Sequence, residues 1–280
     1  MITPLQSHDE LLADIAGAAT GEDTFHLWWM GQSGFLLKWG RKHFLFDPYL
    51  SDSLTKKYAE TDKPHVRMTE LCIDPARLDF IDVVTSSHNH TDHLDGETLI
   101  PLLGANPNLS VIVPWANNDF AAQRLGVAPE RLLVCDAGEC VDDKGFDVHG
   151  VPAAHENIDR DEEGRCHYLG YVVQFGSFTV YHSGDTVLYD GMVETLRRWP
   201  IDVAMLPING RAPERRVAGN LWGCEAAQLA HDIGAQVVIP CHYDMFEFNT
   251  ATPEEFVNTC ESLGQGYRVL QCGERFTYSR

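Results

Sequence analysis

The segment Ser87-His88-Asn89-His90-Thr91-Asp92-His93 places four candidate metal ligands within six residues. His88 and His90 are two apart, so in extended backbone both side chains leave on the same side. Asp92 and His93 turn towards a second point if the chain bends into a helix after Leu94. The pattern suits two cations lying close together, one near His88 and His90, the other near Asp92 and His93. Neutral imidazole and carboxylate are the ligands that Zn, Mn or Fe take at neutral pH. A polar loop that happens to be rich in histidine is the simpler alternative. With 13 histidines in 280 residues, three inside six positions weigh against it.

Three later positions complete such a site. His155 follows the apolar run ending Pro152-Ala153-Ala154. Asp185 lies in Tyr181-His182-Ser183-Gly184-Asp185-Thr186, where Gly184 permits a tight backbone and the carboxylate can bridge two cations. Its other reading is an N-cap for a following helix. His242 lies in Ile239-Pro240-Cys241-His242-Tyr243-Asp244, just beyond another apolar run. Adjacent side chains point apart in extended backbone, so Cys241 is read as core packing rather than as a ligand.

The elements that must hold these residues are strands first, then strands and helices mixed. Thr24–Met30, Gly34–Trp39 and Lys42–Phe46 read as a meander broken at Gly31 and Gly40. Phe80–Thr85, Val111–Pro114, Phe146–Ala153, Tyr168–Phe175, Phe178–Tyr181, Val203–Leu206 and Gln236–Pro240 read as further strands, with closing strands inside Arg268–Tyr278. Glu97–Leu103, Asn117–Leu125, Met192–Arg198, Glu225–Ile233 and Pro253–Leu263 read as helices. The early strands lack intervening helices, so two sheets with helices on their outer faces fit this order better than one parallel sheet.

The His-x-His-x-Asp-His run, His155, Ser183-Gly184-Asp185-Thr186 and His242 together resemble the metallo-β-lactamase superfamily, over roughly Phe25 to Thr277. Four segments are similar to its L-ascorbate-6-phosphate lactonase-like branch. These are Trp28–Gly34, Tyr181–Asp185, Leu206–Arg211 and Val238–Asp244. The resemblance implies an α/β (α+β) fold, a four-layer αββα sandwich, as a single domain over 1–280 with 1–22 as an N-terminal extension. It implies two divalent ions, Mn2+ or Zn2+, with His88, His90 and His155 on one, Asp92, His93 and His242 on the other, and Asp185 bridging. Two cations bring a shared water towards ionisation at neutral pH and stabilise the developing oxyanion. Asp92 then orients the nucleophile or carries its proton to the leaving oxygen. Asp47, in Phe46-Asp47-Pro48, is a candidate to hold a ligand histidine, or simply begins an Asp-Pro turn. Tyr243 is a candidate donor to the scissile carbonyl, with packing as its alternative. The same branch implies a homo-oligomer.

For substrate, Gln32, Asn209 and Arg211 are the candidate binding residues, and Arg215 and Arg216 make Arg211–Arg216 a basic island in an acidic chain. Guanidinium forks suit phosphate or carboxylate. A solvated loop paired with Glu214 is the alternative. The expected reaction is opening of a small phosphorylated or carboxylated sugar-acid lactone. Its alternative is hydrolysis of a small cyclic or lipid phosphodiester. A non-enzymatic metal or ligand sensor fits a complete ligand set less well.

Composition bounds these readings. Lys and Arg number 21 against 41 Asp and Glu, a net charge of −20. That disfavours nucleic acid and anionic membranes as partners, since both need clustered cations. A small anionic molecule remains open, because bound cations are local. No leader pattern or apolar run of membrane-spanning length is present, and the eight scattered cysteines hold no Cys-x-x-Cys pair, so a cytoplasmic protein with reduced thiols is expected.

Overall fold

In a computed structural model that describes residues 1–19 and 21–280, the chain folds into two stacked sheets flanked by helices. The first sheet holds β1 (Thr24–Gly31), β2 (Gly34–Trp39), β3 (Lys42–Phe46), β4 (Val83–Thr85), β5 (Ser110–Pro114), β6 (Leu133–Cys135) and, at its other edge beside β1, β13 (Arg275–Ser279). The second runs in the order β12 (Val237–Cys241), β11 (Val203–Pro207), β10 (Phe178–His182), β9 (Leu169–Phe175), β8 (Phe146–Pro152), β7 (Cys140–Asp143). Each sheet is part antiparallel and part parallel. The meander β1–β3 is antiparallel, whereas β3 to β6 pair in parallel.

The side-chain period of two explains why β1–β3 read as continuous apolar runs. Phe25, Leu27, Trp29, Phe35, Leu37, Phe44 and Phe46 fill the core between the sheets. Their neighbours Trp28, Met30, Leu36 and Leu45 belong to a second apolar cluster, shared with the outer helices. Those helices are α1 (His8–Gly17), α3 (Gly96–Ala105) and α4 (Asn118–Leu125). On the second sheet, α5 (Met192–Leu196), α6 (Gly223–Ile233) and α7 (Glu254–Leu263) pack on one another and on β11 and β12. The expected αββα layering is therefore the one observed.

Some boundaries differ from the sequence reading. The N-terminal stretch contains α1, which docks through Leu11 and Ile15. Its C-terminal carbonyls are capped by a buried cation: Lys38 Nζ donates to the carbonyls of Ile15, Ala16 and Ala18 at 2.7, 3.3 and 3.1 Å. A short helix, α2 (Ser53–Tyr58), and strands β6 and β7 were not expected. Phe80–Thr85 is a strand only from Val83, and the closing strand is only β13.

Candidate functional site

Every candidate ligand lies just past a strand end, on one rim of the sandwich. His88–His93 follow β4, His155 follows β8, Asp185 follows β10, and His242 follows β12. Asp47 follows β3, and Gln32 sits in the β1–β2 turn. Gln32, Asp47 and His242 have φ of 50°, 36° and 62°, a region costly for residues other than glycine. At Gly184, φ is 59° and an added Cβ would lie 2.6 Å from Ser87 Cβ. Glycine there lets the Asp185 turn close onto the His88 loop.

The seven side chains converge in two groups. His88, His90 and His155 bring their ligand atoms within 4.8 Å of one another, and so do Asp92, His93 and His242. Asp185 lies between the groups. Its Oδ2 is 3.5 Å from His155 Nε2 and 3.3 Å from His242 Nε2, and its Oδ1 is 3.3 Å from His93 Nε2. Asp92 Oδ2 is 3.7 Å from His93 Nε2 and 3.6 Å from His242 Nε2. Ligands about 2.0–2.2 Å from a tetrahedral ion stand roughly 3.3 Å apart, so these gaps match a donor set for a cation.

In three of the five candidate ligand histidines the outer nitrogen is already committed, which aims the inner one. His93 Nδ1 donates to Asp47 at 2.7 Å, His155 Nδ1 to the Gly219 carbonyl at 2.8 Å, and His88 Nδ1 to Ser87 Oγ at 2.9 Å. Ser87 Oγ in turn donates to Asp47. The inner atoms His88 Nε2, His93 Nε2 and Asp185 Oδ1 are buried and make no hydrogen bond. Buried donors and acceptors are otherwise nearly always paired, so this cluster of orphans fits a metal centre. Carboxylate or hydroxyl support for a ligand histidine fixes its tautomer. Asp47 is thus bonded to one of the candidate ligand histidines. Ser87 was not singled out from sequence, although it opens the histidine run.

Electrostatics divide the histidines: against the pull of burial, the surrounding carboxylates Asp185, Asp92 and Asp47 raise His93 well above the usual imidazole range, whereas His88 and His90 are lowered. Burial, with His93 and His90 nearby, holds His88 well below the usual imidazole range, and burial brings His90 down to about 4. Both are therefore neutral donors at pH 7. Burial opposes ionisation of Asp185, but His242 and His93 outweigh it and keep the carboxyl well below its ordinary value. Burial raises the Cys241 thiol far above its ordinary value, consistent with packing and not ligation.

A cleft of about 400 Å³ opens over the cluster. Gln32 lines it, and its Nε2 donates to Asp92 Oδ2 at 2.8 Å. Three other expectations are corrected. Arg211 is held by Glu225 through two contacts of 2.6 Å and borders a separate hollow beside His155. Asn209 is buried, donating to Asn249 at 2.9 Å and accepting from Asn220 at 3.0 Å. Tyr243 turns away: its hydroxyl donates to the Leu270 carbonyl and its ring stacks on Trp29 at 4.4 Å. Arg215 is occupied by the Asn209 and Thr250 carbonyls, and Arg216 by Asp62. Glu214 is not among the hydrogen-bond partners of this basic island. The cations that do line the cleft are Lys57 and Arg124. Tyr168, also unanticipated, lies 5.0 and 5.7 Å from the His88 and His155 rings. No helix among the described residues is long and apolar enough to cross a membrane.

Comparison with known proteins places this geometry in context. Residues 42–243 match the family model described as Beta-lactamase superfamily domain. A UPF0173 metal-dependent hydrolase of Saccharolobus solfataricus is 26% identical over 253 residues, covering 89% of this chain and 97% of that protein. An Escherichia coli protein named "Probable L-ascorbate-6-phosphate lactonase UlaG" is 24% identical, covering 91% of this chain and 81% of its own length. The solved structure of Igni18, a metallo hydrolase from Ignicoccus hospitalis, shares the fold with a TM-score of 0.68 at 22% identity, covering 92% of this chain and 99% of its own. All seven converging side chains fall inside the matched stretch, and the chain belongs to the β-lactamase superfamily of metal-dependent hydrolases.

Proposed function

We propose that this hydrolase carries two divalent ions, Mn2+ or Zn2+, and opens the lactone or related carboxylic ester of a small anionic molecule. The observation that carries the reading is Asp185, whose two carboxylate oxygens face histidines of both groups at 3.3–3.5 Å. His88, His90 and His155 would hold one ion, Asp92, His93 and His242 the other, and Asp185 both. When bound, such ions supply a nucleophile at neutral pH and polarise the scissile carbonyl. The protein's own part is positional. Asp47 and Ser87 fix the His93 and His88 rings. Gln32 holds Asp92, whose carboxylate oxygen takes up a proton and passes it to the leaving oxygen. Lys57 and Arg124 at the cleft replace Arg211 as partners for the substrate anion. Likeness to the protein named as an ascorbate-phosphate lactonase supports a lactone.

Metal analysis followed by a panel of lactones and bis(p-nitrophenyl) phosphate on the same sample tests this. Metal-dependent turnover of lactones is expected. Asp185→Asn should reduce it to background while leaving the circular-dichroism spectrum unchanged. Phosphodiester turnover far above any lactone would replace the lactonase reading by a phosphodiesterase.

A further inference from the structure

The cleft has an apolar face that the reaction itself does not call for. Leu54, Tyr58, His65, Phe246 and Phe248 line it together with the ligand cluster. Tyr58 and His65 stack at 4.2 Å and 21°. The His65 ring also meets the edges of Phe246 and Phe248, at 5.1 and 4.5 Å. These are favourable aromatic geometries, and the buried Phe246 ring backs a surface formed by the partly exposed Tyr58, His65 and Phe248. His65 contributes no charge to it. Its Nδ1 donates to the Lys63 carbonyl at 3.0 Å, and burial holds its pKa below the ordinary imidazole value, so the ring is neutral at pH 7.

The surface is built, not incidental. Tyr58 and Phe248 pack on a small cluster of Tyr49, Leu54, Met245 and Phe246, distinct from the two main apolar clusters. Two backbone bonds bring its halves together, from Met68 N–H to the Met245 carbonyl at 2.8 Å and from Glu247 N–H to the Val66 carbonyl at 3.1 Å. Arg67 anchors it from below, to Asp52 at 2.6 Å and the Thr69 carbonyl at 2.9 Å.

Charge in the cleft is sparse by comparison. Arg124 already donates to the carbonyls of Asn89 and Leu94, at 2.7 and 3.1 Å, and lies 4.4 Å over the Phe120 ring. Lys57 lies 5.1 Å from the Tyr58 ring, beside the aromatic surface. Apolar surface placed against the partly exposed rings leaves water at a gain.

We propose that the substrate carries an apolar arm, alkyl or aryl, seated on Tyr58, His65 and Phe248, with the buried Phe246 ring behind them, while its scissile carbonyl lies at the ligand cluster. The substrate class is then an amphiphilic lactone or ester in place of a sugar phosphate. This rests on the hydrolase reading above for its metals and ester chemistry, and departs from it in replacing the anionic group of the substrate by an apolar one.

Two measurements on metal-loaded protein test it. The first compares γ-butyrolactone, γ-valerolactone, γ-octalactone and γ-decalactone with 6-phosphogluconolactone. Specificity, kcat/KM, should rise about threefold per methylene seated, carried mainly by KM. Phe248→Ala should flatten that rise, and Phe248→Leu should retain most of it. The second is saturation-transfer NMR with 2-hexyltetrahydrofuran, which has no bond to cleave. Transfer to its hexyl protons is expected in the native protein and should be lost in Phe248→Ala. Hexyl transfer without turnover of any lactone would sink the lactonase reading and sustain the apolar arm. A flat alkyl series, a preference for the phosphorylated lactone, or equal transfer in Phe248→Ala would overturn the arm.

Discussion

The Tyr243 hydroxyl is spent on the Leu270 carbonyl, well away from the cleft, although its neighbour His242 is a candidate ligand. Tyr243→Phe should therefore leave kcat within about twofold and cost about 1–3 kcal/mol of stability, because a buried carbonyl loses its donor. Urea unfolding and lactone kinetics on one preparation separate the two; a hundredfold loss of kcat would restore the catalytic role. Asp47 makes the opposite case, buried out of the cleft yet bonded to His93. Asp47→Ala should weaken metal binding by about 10–100-fold, read by titration calorimetry. The donor set itself was legible because ligand chemistry is a matter of residue type and short spacing, as in His88–His93. The role of Arg211 was not. Its guanidinium is neutralised by Glu225, fourteen residues away across a turn, and nothing in the local sequence marks that pairing.

Among the elements, the strands that were easiest to read are those buried on both faces. β1 to β3 are long, apolar and separated by glycine turns. Those missed carry weak signals. β6 spans three residues, and β7 alternates exposed and half-buried positions at the sheet edge. Helix α1 presents only Leu11 and Ile15 as buried anchors. Its docking depends on Lys38 as much as on them, and a lysine inside an apolar strand gives no hint of a helix twenty residues earlier. Lys38→Met removes the charged donor and leaves the Ile15, Ala16 and Ala18 carbonyls unpaired. A loss of about 2 kcal/mol is expected in denaturant unfolding, with faster amide exchange confined to α1. Uniform exchange across the first sheet would count against a capping role.

At the scale of the whole molecule, the protein keeps many imidazoles neutral. Burial lowers His26, His43, His65, His88, His90 and His182 below the ordinary histidine value. A depressed folded-state pKa means that the unfolded chain binds the proton first. The stabilisation is complete above about pH 6.5 and is lost as pH falls towards the folded value, about 4 for His43 and His90. The chelated protein should thus lose stability steadily from pH 6.5 to 4. His43 is outside the ligand set and packs against Phe80 at 4.7 Å. Its share is on the order of 3 kcal/mol, so His43→Phe should flatten the pH dependence of the urea midpoint by that amount. An unaltered slope would show that His43 is hydrated in the folded state.

The pairing of β1 with β13 sets a timetable for synthesis. Phe25, Leu27, Trp28 and Trp29 are fully or almost fully buried, yet the strand that covers their open edge is Arg275–Ser279. While the ribosome makes the intervening chain, that edge presents unpaired backbone amides beside four large apolar side chains. Such an edge recruits other strands. Until Arg275–Ser279 emerges, that edge is where misassembly can begin.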